Sequence, residues 1–500
     1  MNQNVTVLRE PAMEFRYGQA VGDPRDGLTA FGPYDHDMPS HPARIAWAVI
    51  GTPAGVSGFE AFSERLRGPI FPEDDNDRSL WRPFPGFDAA FACEWPAEPA
   101  RRSFLAEDAL ETAARHADLS RRVAGVVDAY LQALSRMESG DTRVDVVLCI
   151  VPEFVYANCR PLSRVVDPVG RAPHRGLLAQ RRGGQLDLFE EIDPDVYRYA
   201  PDFRRQLKAR AMHFGIPLQI IRESTLRLGA RQSTRERGLT PLADRAWNLA
   251  VALYYKAGGK PWRLMTAREG VCYLGLAYKK TEPTEGGRTA VAAAQMFLDT
   301  GDGIVFLGET GPWFSPERRQ CHLTGEAAAR LLQGVLATYR DQGGKALREI
   351  FLHCRSDIDD EEFAGFESAC PEGVRLVGVR IRRPRGGARL YREGRMPVLR
   401  GTVWTTSERQ CYLWGAGYKP RLDTYDGWDV PVPLQIDVQH GEVAINTVAE
   451  DILGLTKLNY NSCKMGDATP VTITFSDDVG EILVTNPAVR DHRPQFRFYI

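Results

Sequence analysis

Two segments of the chain carry residues whose types and spacing could bind an anion. Arg204 and Lys208 are four positions apart on a predicted helix, so they share one of its faces. Gln219 follows on a predicted strand, and Lys256 ends a second predicted helix. Brought together, these groups would suit a terminal phosphate, because lysine supplies a point charge, arginine a fork and glutamine directional hydrogen bonds. The alternative interpretation is that they belong to solvated helix faces.

Local sequence signals define the elements that must position these side chains. Residues 201–226 are predicted to form a helix, a Gly-Ile-Pro turn and then a buried strand that includes 218–221. Residues 247–264 are predicted to begin as a helix, because apolar residues recur on neighbouring turns, and to leave the helix at Gly258. The sequence does not show how these two segments approach each other.

The rest of the first half predicts an α/β sheet. Apolar runs at 44–51 and 145–151 predict buried strands, and residues 119–137 have the 3.6-residue period of an amphipathic helix. Strand, helix and strand in this order predict a parallel sheet covered on both faces. Residues 23–34 are expected to form turns, and residues 69–99 a loop over the surface.

The second half predicts a further α/β unit, with consecutive strands followed by alternating helices and strands. This order is typical of a ribonuclease-H-like layout. Helices are predicted over 325–342 and near 448–455. The predicted strands are 271–278, 290–298, 304–307, 349–352, 374–381, 401–405, 434–438 and 471–475.

Composition and motifs exclude several classes of protein. A formal net charge of −2 over 500 residues argues against a wholly basic nucleic-acid coat, although a basic channel on a near-neutral body remains compatible with it. The nine cysteines lack metal-ligand spacing, and we expect reduced thiols in a cytoplasmic protein without a signal peptide or membrane span. Gly259-Lys260 lacks the spacing of a phosphate-binding loop, and no G-x-S-x-G or H-E-x-x-H motif occurs.

Nine arginines lie between residues 375 and 400, and the only acidic residue in this stretch of sequence is Glu393. Such a row on a strand or hairpin could follow the phosphates of a nucleic-acid strand. The alternative is a salt-bridged sheet edge. The arginines assigned to a nucleic-acid channel are Arg380, Arg382, Arg383, Arg385 and Arg389. A second basic stretch, 160–184, is expected to be a loop.

An acidic cluster at 357–362 permits two interpretations. Its carboxylates could hold the two metal ions of a nuclease. Alternatively, the acids follow a predicted strand where a helix would begin, and there the helix dipole favours carboxylates. The second interpretation is the simpler one, because it needs no further ligand.

Taken together, these motifs resemble a short prokaryotic Argonaute, the kind reduced to MID and PIWI domains. The resemblance covers nearly the whole chain. It rests on a series of motifs in the family's order: DPRDGLTAFGPYD, the helix of Lys208 followed by Gln219, YYKAGGKPW, CYLGLAY, EIFLHCRSDIDDEEF, VGVRIRRPRGGARLYR, PVPLQI and LTKLNYNS. The implied fold is a Rossmann-like MID domain over 39–260 and a ribonuclease-H-like PIWI domain over 261–500, after an N-terminal segment 1–38.

The resemblance also implies roles for individual residues. Lys208, Gln219 and Lys256 would hold the 5′ phosphate of a guide. Arg204 would join them where many family members have tyrosine, so it could stack on or pair with the first base. The carboxylate of Ile500, together with Gln219, would hold a Mg²⁺ ion beside that phosphate, and both are oxygen ligands that Mg²⁺ favours.

The family's catalytic carboxylates are replaced in this sequence. Slicing members have aspartate in the first PIWI strand, where this chain has Ala277. Ser356 takes the place of the second aspartate, although Asp357 is its neighbour, and Asn459 falls where the last metal ligand is expected. A two-metal site needs several carboxylates to offset the charge of its ions. The resemblance therefore implies a PIWI domain that binds without cutting.

The function implied is that of a guide-directed sensor in a prokaryotic defence system. A guide, RNA rather than DNA by resemblance, would pair with single-stranded target DNA from a plasmid or phage. Binding would activate a separate APAZ-domain protein that carries a sirtuin-like or TIR NADase, or a nuclease. One alternative is an active metal-dependent guided endonuclease, using the acidic cluster with Asp299, Asp302 or Glu309. Another is a structural subunit that no longer binds a guide.

Overall fold

The computed structural model describes most of the chain. The described residues are all except 1–3, 73–79, 139, 141, 171–194, 230–239, 281–289, 298–302, 311–312, 316–319, 342–343, 385, 387, 426, 428 and 486–492.

The strands of the described residues form two larger and two small sheets. In chain order they are β1 (Val5–Val7), β2 (Met13–Glu14), β3 (Ala20–Val21), β4 (Trp47–Gly51), β5 (Arg101–Phe104), β6 (Val146–Val151), β7 (Leu218–Arg222), β8 (Arg263–Leu264), β9 (Val271–Lys280), β10 (Ala290–Phe297), β11 (Gly303–Thr310), β12 (Trp313–Ser315), β13 (Gln320–His322), β14 (Glu349–Cys354), β15 (Arg375–Arg382), β16 (Thr402–Ser407), β17 (Gln410–Leu413) and β18 (Leu434–His440).

The α-helices cover the faces of the two larger sheets. In chain order they are α1 (Pro24–Phe31), α2 (Pro53–Leu66), α3 (Phe87–Phe91), α4 (Glu107–Ala114), α5 (Leu119–Glu138), α6 (Glu153–Asn158), α7 (Asp195–Arg198), α8 (Phe203–Ala211), α9 (Leu242–Lys256), α10 (Gly325–Asp341), α11 (Asp360–Ala369), α12 (Ile445–Leu455) and α13 (Val471–Thr485).

The first larger sheet is parallel and has the strand order β5-β4-β6-β7. Every residue of β4 and β6 is buried, which explains why both strands are continuous apolar runs in the sequence. Val147 and Cys149 pack in the cluster that includes α5, whereas Val146 and Leu148 pack in the cluster that includes α2. This is the predicted parallel sheet with helices on both faces.

The second larger sheet has the strand order β1-β16-β17-β18-β15-β14-β9-β10-β11. Strands β9, β14 and β15 are parallel, and the pairs on either side of them are antiparallel. Helices α10 and α11 cover one face, against Cys272, Leu274 and Leu276 of β9. Helix α13 packs on the other face of β9. The predicted mixed α/β layout of the second half is thus confirmed.

The prediction of a strand at 471–475 is wrong, because these residues begin α13. The β-branched sequence Val-Thr-Ile-Thr-Phe favours a strand when judged by propensity alone. In the structure, Val471, Thr472, Ile473 and Phe475 are all buried. A helix buried around its circumference loses the 3.6-residue apolar pattern that distinguishes a surface helix.

Two further local predictions also fail. Residues 23–34 contain α1, which begins after Asp23, whose carboxylate accepts a hydrogen bond from the Arg25 amide, with Pro24 at the first helical position. Among the described residues of 69–99, α3 and several buried aromatic side chains belong to the core rather than to a surface loop. Among them, Trp95 stacks on Trp47 with ring centroids 5.4 Å apart.

The N-terminal residues pack onto the second half of the chain. Strand β1 pairs with β16, and β2 pairs with β3 on one side and β8 on the other. The proposed boundaries at 38 and 260 stay predictions. Within the described part of the chain, no helix is long and apolar enough to cross a membrane.

Candidate functional site

Lys208 and Lys256, from two different helices, converge on one short segment of main chain. Lys208 Nζ donates a hydrogen bond to the carbonyl oxygen of Tyr499 at 2.9 Å. Lys256 Nζ donates to the main-chain oxygen of Ile500 and, at 3.4 Å, to that of Arg497. The two ammonium groups therefore share the segment 497–500, although more than 200 residues separate each lysine from it in sequence (291 and 244).

Aromatic packing holds that segment in place. Phe496 begins a short 3-10 turn, and its ring lies 4.9 Å from the ring of Phe475 on α13 and 6.5 Å from that of Tyr255 on α9. The Tyr499 hydroxyl donates to the carbonyl oxygen of Arg493 at 2.9 Å. Ile500 is 3% exposed. These contacts pack the aromatic segment into the protein.

Both lysines are removed from water. Lys208 is 4% exposed and Lys256 is fully buried. Burial lowers the pKa of Lys208 well below its ordinary value, and the charges of Lys256 and Arg204 lower it further. Burial, with Arg204 nearby, lowers the pKa of Lys256 to about 7. An anion at this place would restore both charges, because it would offset the cost of burying them.

Neither Arg204 nor Gln219 joins the hydrogen bonds that the two lysines make with described residues, although the charge of Arg204 lowers the pKa of both lysines. Arg204 is exposed on α8 and lies at the wall of a cavity of about 290 Å³. Gln219 is half-buried on β7, and its Oε1 is buried with no hydrogen-bond partner among the described residues. A buried amide oxygen without a partner is uncommon and favours a ligand at that position.

The cavity lies beyond the carboxyl ends of β6 and β7, where open parallel sheets commonly bind ligands. Tyr156 is one of the residues that line the cavity. The guanidinium carbon of Arg222 lies 3.6 Å from the centroid of the Tyr156 ring, and that of Arg160 lies 4.2 Å from it. Asp478 and Glu481 of α13 line the opposite wall. Burial raises the pKa of Asp478, and Glu481 adds to this effect, while Arg204 opposes it.

The sequence pattern did not identify Tyr156 and Arg222 as candidate site residues. They follow β6 and end β7, so the rule that ligands bind at the carboxyl ends of parallel strands could have identified them. Arg160 was noted only as part of the basic stretch 160–184, of which residues 171–184 lie outside the described residues. The spacing of these residues along the chain gives no signal of its own.

Ala277 and Asn459, two of the positions where the sequence resemblance predicts that catalytic carboxylates are replaced, are both held within the fold. Ala277 is 4% exposed on β9 and pairs with Ala293 of β10. The side-chain amide of Asn459 makes two hydrogen bonds within the fold. Its Nδ2 donates to Asp467 at 2.6 Å, and its Oδ1 accepts from the Asn461 main-chain amide at 2.9 Å. Neither position offers a carboxylate.

Asp357, which follows Ser356, is engaged by other side chains. Its Oδ1 accepts a hydrogen bond from Gln439 Nε2 at 2.9 Å and pairs with the guanidinium of Arg380. The remaining acids of the cluster begin α11, and the Asp359 carboxylate caps this helix by accepting from the Glu362 amide at 2.8 Å. Of the other carboxylates considered, Asp299 and Asp302 lie outside the described residues, as does the side chain of Glu309.

The arginine-rich stretch divides into two groups. Arg375, Arg380 and Arg400 form ion pairs with acids of the fold, and the Arg400 side chain is 1% exposed. After β15 ends at Arg382, the chain continues as an irregular segment rather than a hairpin. There Arg383 and Arg389 are exposed, while Arg385 lies outside the described residues. The prediction of one continuous row on a strand or hairpin is therefore wrong for Arg400.

Comparison with solved structures gives the fold a family context. The chain is similar over 99% of its length to Clostridium butyricum Argonaute bound to a guide DNA and a 19-mer target DNA, with 14% identity and a TM-score of 0.64, covering 54% of that chain. It is similar over the same share to Aquifex aeolicus Argonaute, with 15% identity and a TM-score of 0.57, covering 55% of that chain. No family model and no curated protein matches the sequence.

The chain thus has an Argonaute-like fold and spans about half the length of those structures. Its two larger sheets match the MID and PIWI arrangement in kind, with a parallel sheet followed by a larger mixed sheet. At this level of identity the likeness concerns the fold, so the roles of the individual site residues rest on their geometry.

Proposed function

We propose that this chain binds a 5′-phosphorylated guide, which is RNA rather than DNA, and uses it to recognise a complementary DNA strand. The observation that carries the proposal is the convergence of Lys208 and Lys256, both buried, on the segment 497–500. Two buried ammonium groups next to each other are costly without an anion. A terminal phosphate supplies the charge and several acceptor oxygens.

The surrounding residues fit the remaining parts of such a ligand. Gln219 would give a directional hydrogen bond from its amide, and Arg204 would contact the phosphate or the first base from the cavity wall. The cavity beside Tyr156 has room and an aromatic surface for that base. Stacking on an aromatic ring is a common way in which proteins hold single-stranded nucleic acid.

A Mg²⁺ ion beside the phosphate forms part of the proposal. Gln219 Oε1 is a buried oxygen without a partner in the described part of the chain, and the main-chain oxygen of Ile500 already accepts a cationic donor, Lys256. Both are oxygen ligands of the kind that Mg²⁺ prefers, so these are the residues that would hold the ion. The ion would neutralise part of the charge of the phosphate.

The second larger sheet would bind the paired strands without cutting them. Ala277 and Asn459 offer no carboxylate, and Asp357 is paired with Arg380. The exposed arginines Arg383 and Arg389 would contact backbone phosphates. Sequence recognition would then come from base pairing, while the protein contacts backbone and shape.

The biological role proposed is that of a sensor in cytoplasmic defence against plasmids and phages. Target binding would activate a separate APAZ-domain protein that carries an NADase or a nuclease. This part rests on the sequence resemblance to short prokaryotic Argonautes. The neighbouring gene product tests it, because an APAZ segment there would name the effector.

The binding proposal is tested by comparing 5′-phosphorylated and 5′-hydroxyl guides of one sequence. For the wild type we expect much tighter binding of the phosphorylated guide. Lys208→Ala combined with Lys256→Ala removes two charge-assisted hydrogen bonds, at about 1.5–3 kcal/mol each, and should weaken phosphorylated-guide binding by about 100-fold or more. Lys345→Ala, which removes an exposed lysine of the second half, serves as the control.

Two outcomes would overturn these proposals separately. Equal affinity of wild type and double variant for the phosphorylated guide would remove the pocket assignment. Site-specific cleavage of a complementary target in Mg²⁺ or Mn²⁺ would instead show that the chain is an active endonuclease, whatever its guide affinity.

A further inference from the structure

Three ligand-type side chains meet on the face of β9 that is covered by α10 and α11. His322 ends β13, just before α10, while Asp359 and Glu362 lie at the start of α11. One donor atom from each lies within 4.8 Å of the others. His322 and Glu362 are fully buried.

Each carboxylate has one oxygen engaged by the fold and another directed at the same imidazole. Asp359 Oδ1 accepts from the Glu362 amide at 2.8 Å, and its Oδ2 lies 3.5 Å from His322 Nδ1. Glu362 Oε1 accepts from the Tyr278 hydroxyl and, at 3.4 Å, from the Leu323 amide. Its Oε2 lies 3.6 Å from His322 Nδ1 and has no hydrogen-bond partner among the described residues.

The spacing of these atoms fits a metal ion better than a shared proton. Hydrogen bonds between nitrogen and oxygen are about 2.7–3.2 Å long, shorter than either contact to His322 Nδ1. Around Zn²⁺, ligands at about 2.0–2.2 Å in tetrahedral arrangement lie about 3.4 Å from one another. The observed separations of 3.5 and 3.6 Å are close to that value.

We propose that His322, Asp359 and Glu362 form a zinc-binding site that joins β13 to the start of α11. One imidazole and two carboxylates are ligands that Zn²⁺ takes, and water would complete the tetrahedron. The Asp359 side chain is 24% exposed, which gives the ion a path from solvent. The Tyr278 hydroxyl, at the end of β9, orients Glu362 from behind.

This site is separate from the replaced catalytic positions. Tyr278 packs with the cluster that includes Leu274 and Leu276, on the α10 and α11 face, and Ala277 alternates to the other face of β9. Zn²⁺ here would stabilise the packing of α10 and α11 against β9. The proposal does not depend on guide binding.

The test uses the full-length protein stripped of metal with a chelator and then titrated with Zn²⁺ alone, followed by Mg²⁺ as a contrast. We expect one tightly bound Zn²⁺ per chain by elemental analysis, a rise in melting temperature with Zn²⁺, and little effect of Mg²⁺. Substitution by Co²⁺ should give the visible absorption of a tetrahedral ion. Absence of stoichiometric Zn²⁺ after reconstitution would overturn the proposal.

Matched variants separate a metal site from a buried polar network. Glu362→Gln keeps the shape and the Oε1 contacts but removes a charged ligand, and it should weaken Zn²⁺ binding by at least about 100-fold. His322→Gln tests the imidazole in the same way. Asp360→Asn, at a fully exposed acid of the same helical turn, should leave Zn²⁺ affinity unchanged. Equal Zn²⁺ affinities of folded Glu362→Gln and Asp360→Asn proteins would contradict the site.

Discussion

The lysine site and the β9 surface around Gly275 and Ala277 differ in what they bury. The lysine site buries charged groups, whereas the β9 surface buries small residues. Burial lowers the pKa values of both Lys208 and Lys256, and the positive charge of Arg204 lowers them further. At β9, by contrast, Ala277 is small and apolar, and α13 packs directly on Gly275. The first region retains an unfavourable arrangement that a ligand could relieve, and the second has the close packing expected of a structural surface. Of these two regions, the lysine site is therefore the one that we propose binds a ligand.

The largest expected effect concerns the close packing on β9. A Cβ added at Gly275 would overlap the carbonyl oxygen of Thr472 in the first turn of α13. Because this obstacle is backbone, Gly275→Ala should destabilise the protein by about 3 kcal/mol, measured by urea unfolding. Gly58→Ala on α2 is the control, since a Cβ there meets nothing within 4 Å, and it should stabilise by about 0.5–1 kcal/mol. Similar results for the two variants would show that β9 is not tightly packed.

The lysine site should make stability depend on pH. The pKa of Lys256 falls from 10.5 to about 7 on folding, so between these values the unfolded chain binds more protons than the folded one. The free energy of unfolding should therefore rise with pH across this window, by at most about 1.4 kcal/mol per pH unit. Below pH 7 the full cost of the buried charge is present. Lys256→Met should flatten the profile, and an unchanged profile would contradict the burial argument.

The same group should couple guide binding to protonation. A phosphate favours charged Lys256, so binding above pH 7 must take up a proton. Affinity for a 5′-phosphorylated guide should then fall with rising pH, by up to about tenfold per unit. The 5′-hydroxyl guide provides the reference, measured by fluorescence anisotropy over the same pH range. An equal slope for both guides would place the titrating group elsewhere.

Much of the fold followed from the sequence, for identifiable physical reasons. Strands β4 and β6 are buried on both faces, so they are continuous apolar runs, and α5 has one apolar face, so it shows the helical period. The prediction of a strand at 471–475 failed because α13 is buried on most sides and rich in β-branched residues. The start of α1 was signalled by Asp23 and Pro24, but Gly27 obscured it; that glycine is needed because the ring of Phe15 occupies the place of a Cβ.

The site could be predicted only in part. Residue type singled out Lys208 and Lys256, yet their meeting depends on residues 497–500, and no local pattern encodes contacts over such sequence separations. The side chains of the proposed zinc site illustrate the same limit. Asp359 was identified as a helix-start acid, which it is, but His322 carries no sequence signal until the sheet brings it to α11.

The cavity lined by Arg204 and Tyr156 should contribute less to guide affinity than the phosphate contacts. Tyr156→Ala removes an aromatic ring that lines the cavity, and base stacking on an aromatic ring contributes about 1–3 kcal/mol. Guide affinity should fall about tenfold or more, independently of the 5′ phosphate. Tyr156→Phe keeps the ring and should remain within about twofold of the wild type. If both variants lose affinity equally, the hydroxyl rather than the ring matters.

The smallest effect concerns the arginines of the second half, where paired and exposed groups should differ. Arg383 is exposed and donates to Thr469 at 2.9 Å, so Arg383→Ala should lower nucleic-acid affinity a few-fold and reduce the slope of log affinity against log salt by about 0.7. The guanidinium of Arg380 is paired with Asp357 and 15% exposed. Because it releases no counterion from the nucleic acid, Arg380→Ala should leave that slope unchanged while lowering stability. Equal slopes for the two variants would mean that the ion pair between Arg380 and Asp357 opens on nucleic-acid binding.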